Sequence, residues 1–286
     1  MILVTGATGH LGSAVISHLQ KNISVDSFIA LARSEEKAQS LKAKGIQVRI
    51  ADFDDIASIE KAFEGIEKLL LISTIDHNRA EQQKAVVDEA KKAGIKHIAY
   101  TGVSLKDVNK SATKKLMESH FQTEGHIKKS GLSYTFLRNS LYTDVIPMHV
   151  GEHVFETGIF LPAGNGKLPY ALRREMGEAA ANVLLQDGHE NKTYEIAGSE
   201  LYSYTDVAKA LSEISGKEVN YTNANLKEFT QKLKQNGVNE FMVSIIAGFS
   251  TDIKNHQYEI VTKDLEKLIG RKPKALAEAL REVYNL

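Results

Sequence analysis

The sequence predicts an α/β fold in which a doubly wound parallel sheet carries a smaller C-terminal α/β lobe. A glycine-rich turn follows the first apolar run, short apolar runs then alternate with helical patterns through the first half, and the pattern changes after Asn139. Short apolar strands that alternate with helices of about ten or more residues are typical of parallel βαβ units. We therefore expect one domain over 1–139 and a substrate lobe over 140–286, with some strands of the lobe returning to the main sheet.

The first element is a strand over 3–5, which leads through the glycine-rich turn into an amphipathic helix. Gly6 lets the chain turn sharply out of the strand, Gly9 removes the Cβ that would block a pyrophosphate, and Gly12 lets the helix pack close to the sheet. Free N–H groups at the helix start can meet phosphate charge. We predict a dinucleotide site of Rossmann type here; the alternative is a turn that binds nothing. The residues assigned to it are Gly6, Ala7, Thr8, Gly9, His10, Leu11 and Gly12.

Five further strands are expected in the first half, and four of the helical patterns end on a glycine, as helix C-caps often do. The strands are predicted over 28–32, 48–51, 68–73, 97–101 and 134–137. In the second half, strands over 158–161, 193–196 and 218–221 mix with helices over 175–186, 204–214, 226–234 and 274–284. The glycine- and proline-containing segment 142–166 is either a mobile wall of the ligand site or an ordinary surface connection.

The end of the second strand indicates which dinucleotide is bound. An NAD site presents an Asp or Glu to the ribose hydroxyls at this point, whereas this chain has Arg33 and Ser34, with Lys37 one helical turn later. A guanidinium offers a charged donor fork that matches phosphate oxygens. We therefore predict that 1–139 is an NADP-binding Rossmann domain that prefers NADPH and binds NADH more weakly. The alternative is a solvated arginine.

Composition excludes several classes of function. The 286 residues include 36 basic and 36 acidic side chains, so the formal net charge is zero and a nucleic-acid partner is not expected. The chain has no cysteine, which excludes disulfides and thiolate chemistry. Its histidines are scattered, so no metal site is predicted. No apolar stretch reaches membrane-spanning length, and the chain enters its first strand at once. A cytoplasmic monomer or homodimer without a membrane partner is the expectation.

Longer motifs join the glycine-rich turn in a resemblance to a known family. They lie at 68–73, 97–102, 134–144 and 188–194, and together they span nearly the whole chain. With these motifs the chain resembles the NmrA-like branch of atypical short-chain dehydrogenases/reductases. The resemblance implies NADPH-dependent hydride transfer to quinones, triphenylmethane dyes or similar planar acceptors. Two alternatives stay open: a non-catalytic NADP(H)-sensing regulatory protein of the same family, and an enzyme related to sugar-nucleotide epimerases.

One absence bears on the chemistry. Typical short-chain dehydrogenases use Tyr-x-x-x-Lys, in which the lysine lowers the tyrosine pKa so that the phenol can give a proton to a carbonyl oxygen. None of the ten tyrosines here is followed by Lys four residues later. Reduction of a ketone forms a strongly basic alkoxide and needs such an acid. Reduction of a quinone forms a phenolate-like anion of pKa about 10, by analogy with tyrosine, which water can protonate later.

Positions at the ends of the strands give the remaining site residues. Those after the third strand are expected to approach the adenine, and those after the fourth and fifth to border the nicotinamide. The resemblance places the segment after the sixth strand at the nicotinamide end. These predicted cofactor residues are Asp52, Phe53, Ser73, Thr74, Ile75, Thr101, Gly102, Arg138, Asn139, Ser140, Leu141 and Tyr142. No catalytic residue is firmly assigned, and the substrate-facing candidates are Tyr142, Val103 and His77.

Two of these assignments have structural alternatives. Tyr142 can simply pack in the core instead of facing substrate. The helical segment His120-x-x-Thr123-Glu124 matches the relatives. It either places polar groups near the nicotinamide or is a structural helix face.

Overall fold

A computed structural model describes residues 1–286. Eleven strands and thirteen α-helices account for its regular structure. The strands are β1 Ile2–Val4, β2 Phe28–Ala32, β3 Gln47–Ile50, β4 Lys68–Ile72, β5 His97–Val103, β6 Ser133–Asn139, β7 Ile159–Leu161, β8 Lys167–Leu168, β9 Lys192–Ile196, β10 Tyr202–Ser203 and β11 Tyr221–Asn223. The helices are α1 His10–Asn22, α2 Glu35–Lys42, α3 Ile56–Ala62, α4 Arg79–Lys92, α5 Lys114–Ser130, α6 Ile146–Val150, α7 Val154–Thr157, α8 Arg173–Leu185, α9 Tyr204–Ser215, α10 Leu226–Gln235, α11 Glu240–Lys254, α12 Asp264–Ile269 and α13 Leu276–Tyr284.

Seven strands form one parallel sheet in the order β3-β2-β1-β4-β5-β6-β9. The predicted doubly wound parallel sheet is therefore confirmed. Strand β1 pairs with β2 on one side and β4 on the other, so the direction of winding reverses beside it. Open α/β sheets bind ligands at the carboxyl edge next to such a reversal. Strand β9 comes from the second half of the chain, and the division at 139/140 stays a prediction.

Alternating side chains of the strands supply two separate cores, one on each face of the sheet. On one face Val4 and Leu70 pack with α1 and α8. On the other face Leu3 and Leu69 pack with the helices α3 to α5. Helix α8 can lie close to α1 because Gly177 has no side chain. A Cβ at Gly177 would stand only 2.6 Å from the Ala14 Cβ. A third core, of 23 buried residues, fills the C-terminal lobe.

The glycines expected at helix ends adopt the conformation that this role requires. Gly45, Gly65, Gly94 and Gly131 all have φ between 72° and 82°. That left-handed region is costly for residues with a Cβ, and it lets the chain leave a helix toward the next strand. The sequence pattern therefore located the ends of four successive helices.

Three predicted elements in the lobe begin two or more residues from the expected position. The helix expected from 175 begins at Arg173. Long-range contacts explain the other two. The strand expected over 218–221 begins at Tyr221, because the Val219 N–H donates to the Ser212 hydroxyl at 2.9 Å and ties this stretch back to α9. The helix expected from 274 begins at Leu276, because the Lys274 N–H instead donates to the carboxylate of Glu175.

Helices α11 and α12 were not predicted from the sequence, and 142–166 contains α6, α7 and β7. None of the helices combines the length and the apolar character that crossing a membrane requires.

Candidate functional site

The glycine-rich turn between β1 and α1, residues 6–12, is called the glycine loop below. Gly6 has φ +58°, and its carbonyl accepts the Gly9 N–H at 2.9 Å. A Cβ on Gly12 would lie 2.1 Å from the Gly6 oxygen and 2.7 Å from the Ala7 Cα, so the turn itself excludes any side chain there. The close approach at Gly12 is thus to the turn and not, as predicted, to the sheet. At Gly9 the nearest atom to a Cβ would be the Gly6 oxygen at 3.3 Å, so the fold makes much weaker demands on this exposed glycine.

The start of helix α1 is open to an anion. Gly9 caps it without a side-chain hydrogen bond, and no acidic residue lies in the first turn. The first N–H groups of an α-helix have no partner inside the helix and carry a partial positive charge. Ala7 and Leu11 are buried and anchor the loop, whereas Thr8 and His10 are exposed beside Gly9. This alternation leaves the backbone between them accessible to a diphosphate.

The ends of β4 and β5 meet directly, as their parallel pairing requires. The Ser73 N–H donates to the buried Thr101 hydroxyl at 3.0 Å. Nearby, the hydroxyls of Thr74 and Ser140 are buried and have no hydrogen-bond partner in the protein. Buried polar groups are normally satisfied, so these two hydroxyls at predicted cofactor positions fit a ligand that carries polar groups.

A buried polar network lies behind this edge, between β5, α4 and α5. The Tyr100 hydroxyl is 3.0 Å from Gln83 Oε1 and 3.0 Å from His120 Nδ1, and the Thr123 hydroxyl donates to the same Gln83 oxygen at 2.9 Å. Burial raises the pKa of Tyr100 to about 12 and, together with the charge of Arg79, lowers the pKa of His120 well below its ordinary value. Both groups are therefore neutral near pH 7, and the contacts of His120 and Thr123 are those of a structural helix face.

The Arg138 side chain, at the end of β6, is bound to two carboxylates. Arg138 donates to Glu124 Oε1 at 2.9 Å and Oε2 at 2.7 Å, and to Glu195 at 3.2 Å. These hydrogen bonds, above all those to Glu124, raise the pKa of Arg138. A Cβ on Gly102 would lie 3.2 Å from Glu124 Oε1, so the absence of a side chain at Gly102 makes room for the ion pair. The role of Arg138 at the nicotinamide stays a prediction.

Tyr142 is held on three sides. Its hydroxyl accepts a hydrogen bond from the Asn139 amide at 3.1 Å, the Arg173 guanidinium lies 4.6 Å from the ring centroid, and the ring packs on the first core. Leu141, its neighbour in sequence, packs instead on the core of the lobe. Burial raises the pKa of Tyr142, so the phenol is neutral near pH 7. Its contact with substrate stays a prediction.

The loops after β2, β3 and β4 contact one another at the carboxyl edge of the sheet. Residues 73–78 are called the β4 loop. The Asp54 carboxylate accepts hydrogen bonds from Asn78 at 3.2 Å and from Gln82 at 2.9 Å, which ties the β4 loop to the segment that contains Asp52 and Phe53. Asp52 accepts the Asp54 N–H at 3.1 Å, and Phe53 packs on the core that the sheet forms with α3 to α5. The predicted adenine residues thus lie in a braced turn.

Ile75 and His77 of the β4 loop and Phe241 of α11 are exposed and are together called the acceptor wall below. Ile75 is 71% exposed and Phe241, in the first turn of α11, is 42% exposed. The rings of His77 and Phe241 meet edge to face with 5.1 Å between centroids. Val103, the other substrate-facing candidate, is buried in the core of the lobe. Phe241 carried no sequence signal, because nothing local indicates that α11 reaches the β4 loop.

The far end of α11 is anchored to the segment before α5. The fully buried Asp252 carboxylate accepts hydrogen bonds from the Ser111 hydroxyl at 2.6 Å, the Ala112 N–H at 2.6 Å and the Thr113 hydroxyl at 2.8 Å. A Cβ on Gly248 would lie 2.7 Å from the Thr113 methyl group, so the two segments pack closely. These contacts fix α11, whose first turn carries Phe241.

A tyrosine–lysine pair is absent from the structure as well as from the sequence pattern. Every side-chain hydrogen bond of a lysine ammonium goes to a carboxylate, a backbone carbonyl or an asparagine, and none goes to a tyrosine hydroxyl. Tyr100 and Tyr142, the tyrosines beside the carboxyl edge, both have raised pKa values. The edge offers no phenol prepared for proton transfer.

A seven-stranded parallel sheet with a glycine loop and an open helix start at its reversal point defines a protein of the Rossmann class. The model of the NmrA-like family matches residues 1–283, and the chain belongs to this family. It is 38% identical over 288 residues to Quinone oxidoreductase 2 of Escherichia coli strain K12, covering 100% of this chain and 99% of the relative.

Two solved structures share the whole fold. One is the NADPH-dependent quinone oxidoreductase of Escherichia coli complexed with NADPH, with a TM-score of 0.93, 37% identity and full coverage of both chains. The other is the triphenylmethane reductase of Citrobacter sp., with a TM-score of 0.92, 37% identity and coverage of 100% of this chain and 99% of that one. The resemblance inferred from the sequence motifs is confirmed.

Proposed function

We propose that this protein is an NADPH-dependent reductase that transfers hydride to quinones or similar planar acceptors, without a proton donor of its own. One observation carries the proposal: the carboxyl edge combines an exposed apolar wall with tyrosines that are held neutral and lack a lysine partner. Such an edge suits an acceptor whose reduced form is a weak base. The similarity over the full chain to two reductases favours an enzyme over a sensor of NADP(H).

The residues present fit the cofactor. Gly9 leaves its side of the glycine loop open, and the uncapped start of α1 would receive the pyrophosphate. Arg33, whose side chain is 61% exposed at the end of β2, would hold the 2'-phosphate. The unpartnered hydroxyls of Thr74 and Ser140 would bind polar groups at the nicotinamide end. When bound there, NADPH supplies the hydride.

The acceptor is selected by shape and by the basicity of its product. Ile75 and Phe241 offer an apolar surface on which a flat molecule can lie. The half-buried Tyr142, whose ring lies under the Arg173 guanidinium, would present its remaining edge to the acceptor. Holding two reactants face to face is itself a large catalytic contribution. A reduced quinone leaves as a phenolate-like anion of pKa about 10. Solvent water can protonate it after hydride transfer.

The test is NADPH oxidation, followed by its absorbance, with a benzoquinone, a triphenylmethane dye and a simple ketone as acceptors. We expect turnover with the first two and none with the ketone, because only the ketone needs a protein acid. Phe241→Ala is expected to raise KM for the quinone while leaving the affinity for NADPH unchanged. Ketone reduction at a rate comparable to quinone reduction would refute the proposal, as would NADPH binding without oxidation by any planar acceptor.

A further inference from the structure

The β4 loop brings a carboxylate to the predicted 2'-phosphate site. Asp76 Oδ2 lies 4.0 Å from an Arg33 guanidinium nitrogen, and no other carboxylate is within this distance of Arg33. Strands β2 and β4 flank β1 in the sheet, so their ends lie on either side of the glycine loop. Both side chains are open to solvent, at 61% exposure for Arg33 and 39% for Asp76. The pair therefore lies where a bound ligand can replace one of its members.

Hydrogen bonds of the neighbouring residues fix the backbone on both sides of Asp76. The buried Arg79 guanidinium donates to the Thr74 carbonyl at 2.7 Å and to the Ser119 hydroxyl at 2.6 Å, and it also bonds the Leu116 carbonyl. The Arg79 N–H donates to the Asp76 carbonyl at 3.2 Å. On the other side Asn78 is bonded to Asp54. The backbone on both sides of Asp76 is thus braced, and its side chain is presented toward Arg33.

The two forms of the cofactor place opposite demands on such a carboxylate. A 2'-phosphate carries up to two negative charges, so it competes with Asp76 for Arg33 and is repelled by Asp76. The 2'-hydroxyl of NADH is neutral and can donate a hydrogen bond to a carboxylate, which is the role of the acid at the end of β2 in NAD-specific sites. Here the acid comes from β4 instead of β2.

We propose that Asp76 is a specificity-determining residue that competes with the 2'-phosphate for Arg33, weakens the preference for NADPH, and supports binding of NADH. The inference rests on the proposed function, since it needs an adenine dinucleotide at this edge. Its chemistry concerns only the 2'-substituent of the adenosine ribose. It can therefore be tested without the reaction, with adenosine fragments of the two cofactors.

The experiment is calorimetric titration of the full chain with adenosine 2',5'-bisphosphate and with adenosine 5'-monophosphate. We expect Asp76→Asn to tighten the bisphosphate about two- to fivefold, the range of an exposed ion pair, and to leave the monophosphate unchanged or weaker. In the Arg33→Ala background the same substitution is expected to give a smaller gain. Asp76→Glu retains the charge and is expected to resemble the unsubstituted protein.

The matched control is Glu81→Gln, which removes the same charge from an exposed residue in the first turn of α4 that forms no ion pair. If Asp76→Asn and Glu81→Gln change bisphosphate affinity equally, or if Asp76→Asn tightens both nucleotides alike, the inference is overturned while the proposed function stands. If the unsubstituted protein binds neither fragment nor NADPH, the proposed function itself fails. Circular dichroism of each variant verifies that the fold is retained.

Discussion

The cofactor edge and the acceptor wall are built in different ways, although both lie at the carboxyl edge of the same sheet. At the cofactor edge the geometry follows from the backbone: Gly6 turns with φ +58°, and Gly12 lies against that turn. At the acceptor wall the geometry follows from contacts between side chains distant in sequence. Asp252 accepts hydrogen bonds from the 111–113 segment, and the Phe241 ring contacts His77. We infer that substitutions damage the first region through steric overlap and the second through loss of long-range hydrogen bonds and packing.

The largest effect is expected within the glycine loop, from two alanine substitutions three residues apart. Gly12→Ala places a methyl group 2.1 Å from the Gly6 oxygen, so we expect the free energy of unfolding to fall by about 3 kcal/mol or more. Gly9→Ala places it 3.3 Å from that atom, and we expect a loss below about 1 kcal/mol. Gly9→Ala is nevertheless expected to weaken NADPH at least about tenfold, because the methyl group would occupy the path of the pyrophosphate.

Urea denaturation and NADPH titration of the two variants check this contrast. Each variant is the control for the other, since the substitution and the local sequence are shared. Equal loss of stability in both would contradict the assignment of Gly9 to ligand binding. Unchanged NADPH affinity in Gly9→Ala would show that the turn has no role in holding the dinucleotide.

The next largest effect is expected at the anchor of α11. The Asp252 carboxylate accepts hydrogen bonds from Ser111, Ala112 and Thr113. Asp252→Asn replaces one of its oxygens with an amide NH₂ group, which cannot accept a hydrogen bond from these donors. We expect the free energy of unfolding to fall by about 2–3 kcal/mol, the scale of lost hydrogen bonds to a charged group. The KM for quinone is expected to rise, while the affinity for NADPH stays near that of the unsubstituted protein.

Asp107→Asn is the matched control on the neighbouring loop, because the Asp107 carboxylate forms a surface pair with Lys110 and accepts a single hydrogen bond, from the Asn109 N–H. It is expected to change stability by less than about 1 kcal/mol. A parallel loss of NADPH affinity and quinone affinity in Asp252→Asn would show that the two regions are not energetically separate.

The smallest effect is expected at Tyr142. Tyr142→Phe removes the hydrogen bond from Asn139, worth about 0.5–1.5 kcal/mol, so quinone turnover is expected to stay within about tenfold. The raised pKa keeps the phenol protonated through neutral pH, and the lowered pKa of His120 keeps that imidazole neutral. Neither Tyr142 nor His120 is therefore expected to introduce an ionisation into the turnover between about pH 6 and 8.

The pH–rate profile and the Phe variant together test the role of Tyr142. A loss of about 10² to 10⁴ in turnover with NADPH binding retained is the signature of a missing general acid. That result would identify Tyr142 as a proton donor, and simple ketones would then have to be tested again as substrates. Tyr142→Ala separates the two roles, because it removes the flat face as well as the hydroxyl.

Some of the site could be read from the sequence, since it depends on residues near one another along the chain. The glycine spacing predicted the turn after β1, and apolar runs located strands β1 to β6 to within two residues at each end. The resemblance to the NmrA-like family rested on motifs that follow these strands. Helix α11 could not be read in the same way: its segment Phe241–Phe249 is apolar around most of its circumference, so it shows no single buried face.

Two ion pairs were not predicted, and only one of them could have been predicted from the sequence. Asp76 follows a predicted strand end, and strand ends share one edge of a parallel sheet, so its approach to Arg33 could have been anticipated from the order of the strands. The ion pair of Arg138 with Glu124 could not, because it depends on how α5 is rotated over β6.

The sequence by itself determined the parallel sheet and the glycine loop, because backbone turns and strand alternation are local properties of a few residues. A phosphate site at Arg33 stays a prediction. The tertiary structure decided which side chains meet across the carboxyl edge: Asp76 with Arg33, His77 with Phe241, and Asp252 with the 111–113 segment. Those meetings depend on the packing of whole helices and on where β9 and α8 return to the sheet. No local pattern encodes that return, since it is the outcome of burying several apolar faces at once.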